Sequence, residues 1–172
     1  MLSLELGCGS ALTYDETGWL ETVTTGASTS TYKYDAGGNR IIRTEGATTT
    51  LFLDGIEASS TSGGSPVVSK YYAIGTTTVA VRANGVLSWI ANDVQGTPAA
   101  AVQAGSNVFH KQLYYPFGEV RGPSNQIPGS RGYIGQVEDD ATQLVYLNAR
   151  YYDPVLHRFL TPDPVSVGEE PQ

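Results

Sequence analysis

LTYDETGWLETV, residues 12–23, is echoed by YKYDAGGNRIIR, residues 32–43, at a period of twenty residues. The two copies share a tyrosine, an aspartate and a glycine in register, at Tyr14, Asp15 and Gly18 and at Tyr34, Asp35 and Gly38. Each Tyr-Asp-x-x-Gly turn lies between two strand-like segments. Within the turn, aspartate accepts backbone N–H groups and glycine supplies a positive φ. A repeat of this length predicts a one-dimensional stack of β-hairpins.

Tyrosine has a structural role in this repeat. Its large ring covers a sheet face, and its hydroxyl is expected to remain in contact with water. YYPFGEV, residues 114–120, reads as a third, decayed copy in which Pro116 takes the place of the aspartate.

A second hairpin signal lies in TVAVRANGVLSWIAND. Alternating apolar residues run up to Asn84-Gly85 and continue beyond it. Asn-Gly between two such runs predicts a two-residue turn, because both central residues must take a positive φ. The sequence shows no sustained helical period, so the predicted fold class is all-β: stacked antiparallel hairpins with almost no helix.

Composition excludes several functions. The chain has 172 residues, a net charge of −7 and 16% charged residues, so it is long enough for a core and too acidic to bind nucleic acid. The single cysteine, Cys8, excludes an internal disulfide framework. No run is long and apolar enough for a membrane span, and the N-terminal stretch is a poor signal peptide.

No cofactor motif is present, and no metal site is predicted. Asp139-Asp140 is the nearest approach to a calcium site, but two adjacent carboxylates lack the alternating oxygen ligands that such a site requires. A solvated loop is expected there.

YDAGGNR, residues 34–40, resembles the unit of the YD-repeat or RHS-repeat proteins, with Asn39 and Arg40 closing the motif. GQVEDDATQLVYLNARYYDPVLHRFLTPDP, residues 135–164, is similar to the RHS-associated core that ends their repeat array. The core positions that carry the resemblance occur in the family's order, at Tyr115, Phe117, Gly118, Gly135, Tyr151, Tyr152, Pro154, Arg158, Phe159 and Pro164.

The resemblance implies a β-strip that spirals into a hollow shell, with the core curling inward as a plug and a variable C-terminal toxin or effector following it. It divides the chain into a poorly ordered or irregular lead-in at 1–10, YD-type hairpins at 11–110 and a truncated core at 111–172. The implied partners are the remaining shell and the toxin of a bacterial parent, secreted or at the cell surface. Open sheet edges also predict self-association.

Complete cores of this family often cleave themselves in an aspartyl-protease-like way, in which one of two neighbouring carboxylates holds a proton while the other activates water. The resemblance assigns these roles to Asp153 and Asp163, with Arg150 as a tuning charge. The structural alternative is that both aspartates only cap turns before proline. The chain stops before the family's second Asp-Pro-x-Gly, so we expect no self-cleavage. His157 stands where a glycine turn residue is usual and is expected to be exposed.

Two other functions remain open from the sequence. One is a free-standing adhesion or carbohydrate-binding module that uses exposed aromatic residues such as Trp19 and Trp89. The other is the remnant of an autoproteolytic enzyme.

Overall fold

A computed structural model describes residues 2–6, 10–123 and 126–161, the first segment by its backbone alone. Eighteen strands fall within these ranges: β1 (Leu2–Leu6), β2 (Ser10–Tyr14), β3 (Leu20–Thr25), β4 (Ser28–Tyr34), β5 (Arg40–Glu45), β6 (Thr48–Leu53), β7 (Ile56–Thr61), β8 (Val67–Ile74), β9 (Thr77–Ala83), β10 (Val86–Asn92), β11 (Pro98–Gln103), β12 (Phe109–Lys111), β13 (Leu113–Tyr114), β14 (Val120–Arg121), β15 (Val137–Glu138), β16 (Val145–Leu147), β17 (Arg150–Asp153) and β18 (Arg158–Phe159).

Every strand pairs only with strands that are adjacent to it in the chain. β1 to β12 form one twelve-stranded sheet in sequence order, β13 and β14 form a hairpin, and β15 to β18 form a four-stranded sheet. All the pairings are antiparallel, as short connections require. The one helical element in the described part of the chain is a 3₁₀ turn at Tyr133–Gly135. The all-β prediction is confirmed.

The N-terminal segment differs from its expectation. Leu2–Leu6 is a strand in register with Ser10–Tyr14, not an irregular lead-in. Leucine alternates with polar residues in this segment, as the two-residue period of a strand requires. Five residues are too few for that alternation to predict a strand from sequence. Cys8 lies outside the described residues.

One face of the long sheet is covered by the C-terminal part of the chain. We call this the inner face; cross-strand pairing places Tyr32, Arg43 and Thr50 side by side on it. The main core lies between this face and the four-stranded sheet, and it consists of Leu12, Tyr14, Leu20, Val23, Tyr32, Leu144, Tyr146, Tyr151 and Leu160. The opposite face of the long sheet is called the outer face.

One turn geometry recurs along the chain. The N–H of its first residue donates to the carbonyl of the fifth, and the N–H of the fourth donates to the carbonyl of the first. The fourth residue is always a glycine, with φ between 72° and 92°. The described residues contain it at 15–19, 35–39, 93–97, 115–119 and 132–136.

Two of these turns correct the sequence interpretation. At 115–119 the first position belongs to Tyr115, so Pro116 does not take the place of the aspartate. The turn at 93–97 was missed: the Asp93 carboxylate accepts N–H groups from Gln95 and Thr97, both at 2.8 Å. The signal was an Asp-x-x-Gly between two strands, hidden because an asparagine replaces the tyrosine.

The Asn84-Gly85 turn is confirmed. The two residues have φ of 48° and 81°, and they join β9 to β10 with Ala83 paired to Val86. Both values belong to the left-handed region that a two-residue hairpin of this type requires.

Replacing Gly85 by valine should lower the free energy of unfolding by about 1–3 kcal/mol, because a β-branched residue resists a positive φ. No side chain blocks the site, so the loss reports backbone strain alone. Urea denaturation of the two proteins measures it. An unchanged midpoint would contradict the turn assignment.

Candidate functional site

The site is the junction between the inner face and the C-terminal segment, residues 126–160. At its centre the carboxylate of Asp139 reaches Arg40 and Arg43, which lie about a hundred residues earlier in the chain. Nη1 of Arg40 donates to both carboxylate oxygens at 2.8 and 2.9 Å, and Nη1 of Arg43 donates to one oxygen at 2.5 Å. Asp139 is completely buried. This pair of contacts joins the strip to its C-terminal segment.

Aromatic rings surround the buried Arg40. Its guanidinium carbon lies 4.6 Å from the ring centre of Phe52 and 4.5 Å from that of Tyr146. Nε and Nη2 of Arg40 have no hydrogen-bond acceptor among the described residues, so the rings provide their electrostatic partner. Burial alone would lower the pKa of Arg40, but Asp139 together with the hydroxyls of Tyr151 and Tyr32 outweighs it and holds the pKa above its ordinary value.

The structure corrects the expectation for Asp139-Asp140. Asp140 is exposed as predicted, but Asp139 is not in a solvated loop. A buried carboxylate needs charged partners, and Arg40 and Arg43 supply them from strand β5. Sequence reasoning had assigned Arg40 only to the repeat motif. The sequence of β5, RIIRTE, carries no local sign that Arg40 and Arg43 are buried.

Tyrosine hydroxyls make further contacts across the junction. The Tyr34 hydroxyl donates to the carbonyl of Leu20 at 2.8 Å and lies 3.0 Å from the hydroxyl of Tyr151. The Tyr146 hydroxyl accepts the backbone N–H of Arg40 at 2.9 Å. The expectation that the hydroxyls of the repeat tyrosines remain in contact with water is wrong for Tyr14, which is buried in the core. The repeat tyrosines therefore face the C-terminal segment rather than water.

A second anchor lies on β7 and β8. Glu57, on the inner face, accepts hydrogen bonds from the hydroxyls of Tyr71 at 2.9 Å and Ser130 at 2.6 Å. The backbone N–H of Ser130 in turn donates to the Tyr71 hydroxyl. Gly129 allows this close approach, since a β-carbon there would collide with the Tyr71 ring. Burial, and next the Glu57 carboxylate, raise the pKa of Tyr71.

The repeated turns form a third set of contacts. The hydroxyl of Thr97 accepts the backbone N–H of Ile134 at 3.1 Å, which links the turn at 93–97 to that at 132–136. The Tyr133 ring covers Gly118, where a β-carbon would not fit. A β-carbon at Gly135 would lie 3.2 Å from the carbonyl oxygen of Gly96. Glycine at the core positions Gly118 and Gly135 thus serves both positive φ and close packing.

The predicted catalytic residues are placed only in part. Asp153 is 8% exposed, and its Oδ1 accepts the backbone N–H groups of Val155 at 2.8 Å and Leu156 at 2.9 Å. The Arg150 guanidinium lies 3.8 Å from the ring centre of Phe159. Asp163 and Pro164 lie outside the described residues. The turn-capping role of Asp153 is therefore visible, and the carboxylate pair stays a prediction.

His157 occupies the turn position expected from the resemblance. It has φ of 56°, is exposed, and stacks on Phe117 with 4.4 Å between ring centres. Two other core residues lie beside it: Tyr152 donates its hydroxyl to the carbonyl of Phe117, and Arg158 pairs with Asp153 across the hairpin. The 153–158 turn thus packs on the 115–119 turn.

Replacing Asp153 by alanine should lower the free energy of unfolding by about 1–3 kcal/mol, because two turn N–H groups lose their acceptor. Asparagine keeps an acceptor oxygen and should cost clearly less. Thermal melts of the two variants give the comparison. Equal losses of stability in the alanine and asparagine variants would show that the charge of the Asp153 carboxylate, and not its hydrogen bonds to the turn, stabilises the fold.

The structure separates the two candidate tryptophans. Trp89 is 55% exposed, as the sequence interpretation requires of a ligand-stacking ring. Trp19 is not available in that way: it stacks on Tyr34 at 5.4 Å and covers Gly38. The part of the chain that the structure describes contains no group of three or more metal-ligating side chains and no helix long and apolar enough to cross a membrane.

A long antiparallel strip of repeated turns, closed on one face by its own C-terminal segment, defines the YD-shell class of β-proteins. The profile of the teneurin YD-shell matches residues 60–169, so the chain belongs to this family. The RHS/YD resemblance inferred from sequence is confirmed.

Individual relatives agree with this assignment. Teneurin-1 of Gallus gallus is 32% identical over 101 residues, 58% of this chain and 4% of its own length. The tRNA3(Ser)-specific nuclease WapA of Bacillus spizizenii is 32% identical over 149 residues, 81% of this chain and 6% of its own length. The chain therefore spans only a small part of these relatives.

Solved structures show the same fold. The crystal structure of TcdB2-TccC3 superposes with a TM-score of 0.75 at 22% identity, over 93% of this chain and 9% of that one. A TcdB2-TccC3-TEV structure gives a TM-score of 0.76 at 21% identity over the same shares.

Proposed function

We propose that this chain is a wall segment and closing core of a YD shell that encloses a C-terminal toxin or effector domain of its parent protein. Its role in that assembly is structural. The segment 126–160 seals one face of the strip, and the domain that follows the core is held inside the wall.

The observation that carries the proposal is the buried contact of Asp139 with Arg40 and Arg43. A simple adhesion strip has no need of a C-terminal segment folded back on its face. Here the return of the chain is fixed by a fully buried ion pair, which is strongly destabilised when either partner is lost. The wall and the core thus form one cooperative unit, as enclosure requires.

The proposed partners follow from the sheet. In the described residues, β1 and β12 each pair on one side only, so further strands of the parent can extend the wall at both edges. One bacterial relative, WapA of Bacillus spizizenii, is named as a tRNA-specific nuclease, an activity that a toxin domain can supply. This supports a toxin as cargo and a secreted or surface-associated bacterial parent.

Limited proteolysis of the parent polypeptide tests enclosure. We expect the domain downstream of the core to resist proteinase K in the wild type, because the wall excludes the enzyme. Asp139→Asn should expose that domain, and Asp140→Asn should leave it protected, since Asp140 is exposed and outside the ion pair.

Two results would contradict the proposal. One is digestion of the downstream domain in the wild-type parent at the rate of the isolated domain. The other is equal protection in both variants when Asp139→Asn has loosened the core, as judged by its melting midpoint.

A further inference from the structure

A row of apolar side chains crosses the outer face of β8–β12. Cross-strand pairing fixes its order, because directly opposed residues project from the same face of a sheet. The members of this outer row are Tyr72, Ala80, Trp89, Val102 and Phe109, one from each strand.

Four of the five members of the outer row are accessible, and Ala80, between Tyr72 and Trp89, is 2% exposed. Trp89 is 55% and Phe109 60% exposed, and Val102 and Tyr72 are 41% and 36% exposed. Isolated exposed apolar residues need no explanation, but a contiguous row of them marks an interaction surface. The row lies on the face opposite to the C-terminal segment, so the junction described above does not use it.

The strands that carry the outer row bear only positive charges. β8–β12 contain three exposed cations, Lys70, Arg82 and Lys111, and no aspartate or glutamate. Lys70 and Arg82 are paired with each other, two residues from Tyr72 and Ala80 on the same face. Lys111 stands two residues beyond Phe109, and the register places it on the other side of the row. In a chain of net charge −7, the strands of this one apolar row thus carry cations on both sides of it and no carboxylate.

We propose that the outer row binds an acidic segment of a partner protein, with large apolar side chains on the row and carboxylates opposite Lys70, Arg82 and Lys111. Charge complementarity selects such a partner: carboxylates gain from these cations, and a basic segment is repelled. Trp89 and Phe109 supply the aromatic anchors on which interfaces depend, and the partner removes them from water when it binds.

An anionic membrane is the competing occupant, and the structure favours it less. Sequences that read as membrane-binding cluster four to eight cations, whereas β8–β12 have three, divided between the two sides of the row. The alanines Ala80, Ala91 and Ala100 also leave only a narrow apolar strip between the rings.

The test starts from a displayed library of short random peptides, selected on the chain and counter-selected on a Trp89→Ser/Arg82→Glu double variant. We expect enriched peptides that combine aspartate or glutamate with large apolar residues. Binding is then measured in a Trp19→Phe background, where Trp89 is the one remaining tryptophan, through a blue shift of its emission.

The matched variants are Arg82→Glu beside the outer row and Lys33→Glu, which makes the same charge reversal elsewhere on the outer face, opposite Ile42. We expect Arg82→Glu to weaken the selected peptides about tenfold or more and Lys33→Glu to have little effect. Circular dichroism checks that both variants are folded.

Several outcomes would overturn the proposal: enrichment of basic peptides or of none, equal weakening by both charge reversals, or a Trp89 shift produced by phosphatidylserine vesicles and not by the peptides. Sedimentation showing that the outer row binds a second copy of the chain, abolished by Trp89→Ser, would also replace it. None of these results bears on enclosure, which depends on the inner face.

Discussion

Asp139→Asn is expected to lower the free energy of unfolding by about 3–5 kcal/mol, one of the two largest losses that we predict for a single substitution. Asparagine keeps the shape of the side chain but removes its charge. Arg40 and Arg43 are then buried without a counter-charge, apart from the 2.9 Å ion pair of Arg43 with Glu45. Urea denaturation at neutral pH measures the loss.

Asp140→Asn is the matched control. The neighbouring aspartate is exposed, so the same chemical change should stay within about 0.5 kcal/mol of the wild type. If the two variants lost equal stability, the loss would come from the overall charge of the loop and the ion pair would have no special role.

Gly38→Ala is expected to cost about 3 kcal/mol or more, because two unfavourable terms add. The residue has φ of 79°, which strains any side chain, and a β-carbon would enter the six-membered ring of Trp19. Trp19 belongs to the preceding repeat, so the collision separates two repeats that normally stack.

Gly18→Ala provides the comparison in the preceding repeat. Its φ is 88° and nothing lies within 4 Å of a β-carbon there, so it should show only the backbone strain of about 1–2 kcal/mol. Adding Trp19→Ala should relieve part of the loss at Gly38 and none at Gly18. Additive effects in both cases would contradict the packing of one repeat on the next.

The fold could be predicted because its signals are local. The Asp35 turn shows why: its carboxylate accepts N–H groups from Gly37 and Asn39 within five residues. The hydrogen bond from the Asn39 side chain, and next that from the Asn39 backbone N–H, lower the pKa of Asp35. Such a motif is complete in the sequence, and so is the Asn84-Gly85 hairpin.

The junction could not be predicted in the same way. Arg40 and Asp139 are separated by 99 residues, and neither carries a local sign of its partner. The sequence predicts a polar loop at Asp139-Asp140. Asp139 is buried because the C-terminal segment folds back on the inner face, and the two-residue period of a strand does not encode that return. The first position of the 115–119 turn was predicted at Pro116 and lies at Tyr115 for a different reason. The hydrogen bonds of the turn define its register, and the sequence does not show them.

The closed structure requires that the C-terminal segment lies on the inner face in solution, and a single distance measures this. The rings of Tyr32 and Tyr151 are 5.2 Å apart between centres, although 119 residues separate them. We expect nuclear Overhauser contacts between these two rings in a tyrosine-labelled sample, with assignment through Tyr151→Phe. Their absence, while contacts between paired strands β4 and β5 are present, would show a free strip and contradict the closed structure.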